Sequence, residues 1–136
     1  MKKKTLRMMG LLSLVCIAVC LLIGYKWYNK PHRSAAIETA VSLTAEQFVG
    51  EYEKDEAAAN KKYLGNAVQV SGTVSEVSLN QQNRQVVLLT GSAMSGVQCT
   101  LQDEGVNIKK GDAVIMKGFC SGFLTGVIMD RCIVVR

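Results

Sequence analysis

The feature that most restricts this chain is a run of seventeen uncharged residues, Met8 to Gly24 (MMGLLSLVCIAVCLLIG). As a helix it spans about 26 Å, the short end of what crosses a bilayer. Lys2, Lys3, Lys4 and Arg7 precede it, and Tyr25, Trp27 and Tyr28 follow where an aromatic belt sits. Lys26, Lys30 and Arg33 close the segment. Residues 1–33 thus hold seven basic side chains and no acid, whereas residues 34–136 hold nine basic and eleven acidic ones. The net charge of +5 therefore belongs to the first quarter of the chain. A reading as a basic, nucleic-acid-binding domain fails on this arithmetic, because the part that folds is mildly acidic.

The leader fits an uncleaved signal anchor best. A cleaved signal peptide needs small residues just after the apolar core, and Ser34-Ala35-Ala36 lies roughly ten residues too far along. A lipoprotein signal needs a small residue before its cysteine, but Cys16 follows Val15 and Cys20 follows Val19. Those two cysteines read as apolar fillers on a membrane helix. The slight excess of basic residues before the helix places the N-terminus in the cytoplasm. The rest of the chain is then periplasmic in a two-membrane bacterium and extracellular otherwise. The expected organisation is an anchor over 1–33, a small polar stalk over 34–43 and a domain over 44–136.

The domain opens on a capping box, Thr44-Ala45-Glu46-Gln47, bridged by a Leu43–Phe48 hydrophobic staple. Phe48, Tyr52, Ala59 and Tyr63 then share one helical face, which predicts an amphipathic helix over about 45–63 ended by a left-handed Gly65. After Gly65 the hydrophobic period changes to two. Val68 to Leu79 predicts a long first strand whose phase slips between Val74 and Val77, next to Gly72, as a bulge or bend would make it. Gln85–Thr90 and Val97–Gln102 are the second and third strands. Ala113–Cys120 and Val127–Val135 form a terminal hairpin around Ser121–Gly126. Asp103–Gly111 is a connection with room for one helical turn.

Five short strands led by a long bent one predict a mainly β protein: a five-stranded OB-fold barrel preceded by an amphipathic α-helix and an N-terminal transmembrane helix. A flat sheet would leave apolar edges, and a β-sandwich needs more strands. From Thr44 to Val135 the chain resembles the tRNA-anti-like OB-fold family of small bacterial envelope proteins. The likeness is carried by Lys62-Tyr63-Leu64-Gly65, Val68-Gln69-Val70-Ser71-Gly72-Thr73-Val74, Val97-Gln98-Cys99, Lys110-Gly111-Asp112, Val114 to Gly118, Cys120-Ser121-Gly122 and Met129-Asp130-Arg131-Cys132. These are signatures of fold. The resemblance implies no catalytic residue to carry over.

Three cysteines, Cys99, Cys120 and Cys132, lie in the domain. They form no CxxC pair and no histidine is near, so no metal site is expected. In an oxidising compartment a disulfide and a free thiol are the natural outcome. With Ser121–Gly126 as the hairpin loop, Cys120 faces Val127, and Cys132 stands about 17 Å further along the strand. That disfavours Cys120–Cys132 unless the hairpin is bulged. The third and fifth strands of an OB-fold are neighbours, so the resemblance makes Cys99–Cys132 the candidate disulfide and Cys120 the free thiol. The other reading keeps all three as buried, reduced apolar residues.

No cofactor and no enzymatic constellation is expected. The one histidine, His32, is juxtamembrane, and the acidic run Glu51, Glu53, Asp55, Glu56 reads as a solvated helix face. Gly91–Gly96 lacks the Lys-Ser/Thr of a phosphate loop. The second and third strands carry no aromatic stacking platform and no charge, so nucleic acid is not the expected partner. Phe119 reads as core. Phe123 reads as folded over the barrel end, with an exposed contact at the loop tip as the sharper reading. The expectation is a membrane-anchored, non-catalytic binding or scaffolding module. Its contact surface is the barrel face with the loops Asn80–Asn83, Gly91–Gly96 and Ser121–Gly126, and its ligand a protein first, a saccharide or small molecule second. The rivals are a single-stranded nucleic-acid binder and a redox or hydrolytic protein using the spare cysteine.

Overall fold

The computed structural model describes residues 2–29, 34–36 and 38–135. It divides into two compact units with the boundary between residues 33 and 34. The first is a single helix, α1 (Lys2–Tyr28). Within it Arg7–Tyr28, 22 residues, is long and apolar enough to cross a membrane. At 1.5 Å per residue that stretch covers about 33 Å, close to the hydrocarbon thickness of a bilayer. Leu11, Leu14, Ile17, Leu21 and Leu22 are all exposed on it. Lys30, His32 and Arg33 lie outside the described residues.

The second unit is built around β2 (Ala67–Leu79). Its period of two turns Val68, Val70 and Val74 inward, while Gln69, Ser71 and Thr73 face out. The first half pairs antiparallel with β5 (Ala113–Phe123), from Ala67 opposite Phe119 to Thr73 opposite Ala113. The second half pairs antiparallel with β3 (Gln85–Thr90), from Val74 opposite Leu89 to Leu79 opposite Gln85. Between the halves the register shifts at Val74/Glu76. This is the bulge that the phase slip in the sequence predicts. β3 runs antiparallel to β4 (Gly96–Leu101), which lies parallel to β6 (Val127–Val135). β6 pairs with β5 and closes the barrel. The order around it is β2-β3-β4-β6-β5 and back to β2.

Two features depart from the sequence expectation. The segment read as a stalk holds a strand, β1 (Val41–Thr44), which pairs in parallel with β2 from Val41 opposite Val68 to Thr44 opposite Ser71. Ala35 is fully buried with Ala67 and Phe119 in a small cluster separate from the main core. The segment is therefore packed on the barrel, and Phe119 is buried outside the barrel rather than within it. The helix expected over 45–63 is two helices, α2 (Ala45–Lys54) and α3 (Glu56–Tyr63). Asp55 between them is extended (φ −158°, ψ 94°), and its carboxylate accepts the Ala58 N–H at 3.1 Å. An aspartate that can cap a new helix competes with continuation of the old one.

The capping box at Thr44 is formed as the sequence predicts. The Gln47 N–H reaches Thr44 Oγ1, and the Thr44 N–H reaches Gln47 Oε1, each at 3.2 Å. α2 packs on the barrel, with Ala45 against Gly72 and Val49 against Gly91. Phe48, Tyr52 and Tyr63 are buried edge to edge, with Phe48 centroids 5.8 Å from Tyr52 and 5.1 Å from Tyr63. Tyr52 also stacks on Phe123 at 5.5 Å and 9°. Gly65 takes the left-handed conformation expected of the stop (φ +73°). The connection over 102–112 contains no helical turn and sends Ile108 into the core.

Gly118 on β5 is a close-approach position. A Cβ there would meet the Cys132 sulfur, and the Asp130 carbonyl at 3.0 Å. Gly118→Ala is expected to destabilise the domain by about 1–3 kcal/mol, the usual cost of overpacking a filled core. Urea unfolding followed by circular dichroism checks it, and an unchanged midpoint would contradict this packing.

Candidate functional site

The alternation of β2 places Ser71 and Thr73 on its outer face, between buried Val70 and Val74. β1 and the first turn of α2 stand on one side of these residues, and the start of β5 on the other. The result is a groove of about 780 Å³. Thr44, Ser71, Thr73 and Thr90 bring hydroxyls to its wall, Ala113, Val114 and Ile115 bring apolar surface, and Glu46 brings a carboxylate. No cation lines it among the described residues. A second hollow of about 250 Å³ shares Thr44, Ser71 and Ile115 and adds Ser42, Gln47 and Gln69. This lining offers hydrogen bonds and apolar contact in a narrow strip. It suits a neutral or weakly cationic ligand better than a polyanion.

The sequence-predicted contact loops are only partly brought together. Gly91–Gly96 and the tip at 124–126 lie side by side, with Gly126 against the Gly96 carbonyl. The Asn80–Asn83 turn sits at the opposite end of β3, next to Leu79 and Gln85. Phe123 is half-buried on Tyr52, so it fastens the barrel to α2. The exposed apolar residues at that end are Leu124 (77 %) and Met94 (93 %). The outer face of β3 and β4 presents Val86, Leu88, Gln98 and Thr100, without an aromatic or a charge. The groove itself was not singled out from sequence. Its signal was the Ser71-x-Thr73 alternation on the strand that also carries the bend.

Cys99, Cys120 and Cys132 are buried free thiols. The neighbouring Cys99 thiol, with burial second, pushes the Cys132 thiol well up. Cys120 Sγ lies 3.2 Å from the Tyr52 hydroxyl, and burial pushes both groups up. Such thiols lack the exposure and thiolate character of a cysteine nucleophile. The hairpin holding Cys120 is bulged, so Cys120 faces Met129 rather than Val127.

The acidic run has structural work at three of its four positions. Ser92 donates to Glu53 at 2.7 Å, and Asp55 caps α3. Glu51 accepts the Tyr63 hydroxyl at 2.8 Å and Lys62 Nζ at 3.0 Å, clamping α2 to α3 across the break. The Tyr63 hydroxyl, with Lys62 second, holds the Glu51 carboxyl below the ordinary 4.5. Among the described residues no group of three metal-type side chains gathers.

A closed five-stranded barrel with this strand order is an OB-fold. The tRNA-anti-like family model matches residues 1–134, and the chain belongs to that family. No curated protein matches it. A crystal structure of a "putative nucleic acid-binding lipoprotein" from Klebsiella pneumoniae has a similar fold. The two share a TM-score of 0.53 at 17 % identity, over 70 % of this chain and 92 % of that one. At this identity the likeness is one of fold. The expectation from sequence that nucleic acid is not a partner draws no support from it.

The Glu51 clamp gives a pH signature. Its folded pKa lies below the unfolded one, so its stabilisation is complete at neutral pH and is lost as pH falls through the folded value. The carboxylate is largely open to solvent, which keeps the effect under about 1 kcal/mol. Glu51→Gln should lower stability slightly at pH 7 and converge with the unmodified protein below pH 4, a range set by about the ordinary carboxylate value. Urea midpoints at pH 7 and pH 3.5 check this, and a difference that grows toward acid would contradict it.

Proposed function

We propose that the chain is a membrane-anchored, non-catalytic binding module of the bacterial envelope. α1 holds it in the membrane, the barrel lies on the outer side, and the hydroxyl-lined groove beside β1 and β2 receives the ligand. The observation that carries this reading is the groove. It joins four hydroxyls, an apolar strip and one carboxylate on a rigid barrel wall. The buried thiols with raised pKa values support a role without nucleophilic chemistry. The ligand class this lining fits is a protein segment or a saccharide, both of which hydrogen-bond through neutral groups.

Photo-crosslinking in intact cells tests it. A photoreactive residue replacing Thr73 is expected to capture a partner, and the same residue replacing Thr100 on β4 is not. Adducts from Thr100 alone would move the site to the other face of the barrel. A reporter fused after Arg136 tests the location: alkaline phosphatase activity is expected, and its absence while the full-length fusion is present in the membrane would place the domain inside.

The second reading is single-stranded nucleic-acid binding. It draws on the description of the Klebsiella pneumoniae protein that shares the fold. Retention of the full chain on a single-stranded oligonucleotide at low salt, with release as salt rises, would favour it. Absence of retention at low salt would remove it.

A further inference from the structure

We propose that the groove takes an extended polypeptide segment carrying a lysine or arginine, its main chain laid against β2 at Thr73 and its cation paired with Glu46. The proposal rests on the reading that the groove is the binding site, and it narrows the ligand to one class. An open stretch of strand edge provides the main-chain contacts. β1 follows β2 as far as Ser71, and β3 joins the same edge only at Val74. Gly72 and Thr73 lie between, where neither ladder reaches. Val74 turns to the other edge: its N–H donates to the Asp112 carbonyl at 2.9 Å, and its carbonyl accepts the Gly111 N–H at 2.8 Å. Alternation along the strand then aims the Thr73 N–H and carbonyl into the gap. An incoming extended segment satisfies such a pair with its own main chain, as in β-strand addition.

The side chains at the gap set the chemistry of that segment. One further step of the Val74–Leu89 register would set Thr73 against Thr90, but the pairing ends before it. Both threonines are exposed and line the groove. Thr44 Oγ1 already accepts the Gln47 N–H, and Ser71 Oγ already reaches the Leu43 carbonyl. The Thr73 and Thr90 hydroxyls make no such bond among the described residues, which leaves them for a ligand. Among the described residues Glu46 is the only charged one in the lining, and it makes no ion pair.

A carboxylate that a ligand covers loses water and needs a cation in exchange. Ala113, Val114 and Ile115 supply apolar wall for the aliphatic stem of a basic side chain or for an apolar neighbour. The same carboxylate repels a polyanion. A neutral saccharide brings no cation for Glu46 and no main chain in strand register. No aromatic ring lines the groove to cover a sugar face either.

The test starts from the adduct that a photoreactive residue replacing Thr73 captures in intact cells. Mass spectrometry is expected to map a peptide with Lys or Arg within a few residues of the attachment point. That peptide, synthesised and labelled, is titrated against purified full-length protein in detergent by fluorescence anisotropy. Glu46→Gln is expected to weaken binding about threefold. Replacing the peptide's cation by glutamine should cost the same factor, with no further loss when both are changed. Glu56→Gln removes a first-turn acid from α3 in the same way and should leave the affinity unchanged. Replacing the peptide amides one at a time by esters should cost about fivefold at the amide facing Thr73 and little at its neighbours. A glycan adduct, resistant to protease and released by a glycosidase, overturns the peptide class and leaves the groove as the site. A peptide without a cation, or an affinity that Glu46→Gln does not change, overturns the pairing with Glu46. Tolerance of an ester at every position overturns the strand addition. Absence of any adduct from position 73 overturns the site and this inference together.

Discussion

One strand carries the architecture. β2 is bonded to β5 along its first half and to β3 along its second, on opposite edges. A straight strand cannot do this in a barrel of five, because the two partners would diverge. The register shift at Val74/Glu76 supplies the bend. β1 occupies the same edge of β2 as β3 but stops at Ser71, and there the chain turns into α2. The groove is the consequence: it lies where one edge of β2 passes from β1 to β3 around Gly72 and Thr73.

α2 and α3 belong to this closure. Gly72 and Gly91 have no side chains where Ala45 and Val49 approach, so the helix backbone settles directly on the barrel. Phe48, Tyr52 and Tyr63 then fill the space between helices and strands, and Phe123 reaches back from the β5–β6 turn to stack on Tyr52. The break at Asp55 allows Tyr63 to return to Phe48 while Glu51 and Lys62 meet on the outside. Sulfur occupies a different part of the same interior, where Met129 separates Cys99 from Cys120.

Much of this was legible in the residues because it was local. Thr44 and Gln47 sit at capping-box spacing, Gly65 ends the helical period, and the slip between Val74 and Val77 marks the bulge. These depend on neighbours a few positions away. What sequence missed depended on distant partners. Val41-Ser-Leu-Thr is too short to announce a strand until β2 offers an edge. Asp55 reads as a helix-surface acid until its carboxylate is seen to cap Ala58. Phe119 looks like core from its type, yet faces outward against Ala35 and Ala67. The groove drew residues from five elements, and no single segment carried its pattern. Phe123 stacks on Tyr52, and the tip's exposed side chain is Leu124.

A barrel wall can be specific for a ligand if it is rigid, since preorganised hydrogen-bonding groups lower the cost of binding. The rigidity here depends on helices and barrel opening as one body. Native-state amide hydrogen exchange measures that directly. The account predicts that Val68, Val70 and Val74 on β2 exchange at the same slow rate as Val49 and Tyr52 on α2. Exchange of the α2 amides orders of magnitude faster than those of β2 would show a helix that merely rests on the barrel, and would contradict the closure on which the groove depends.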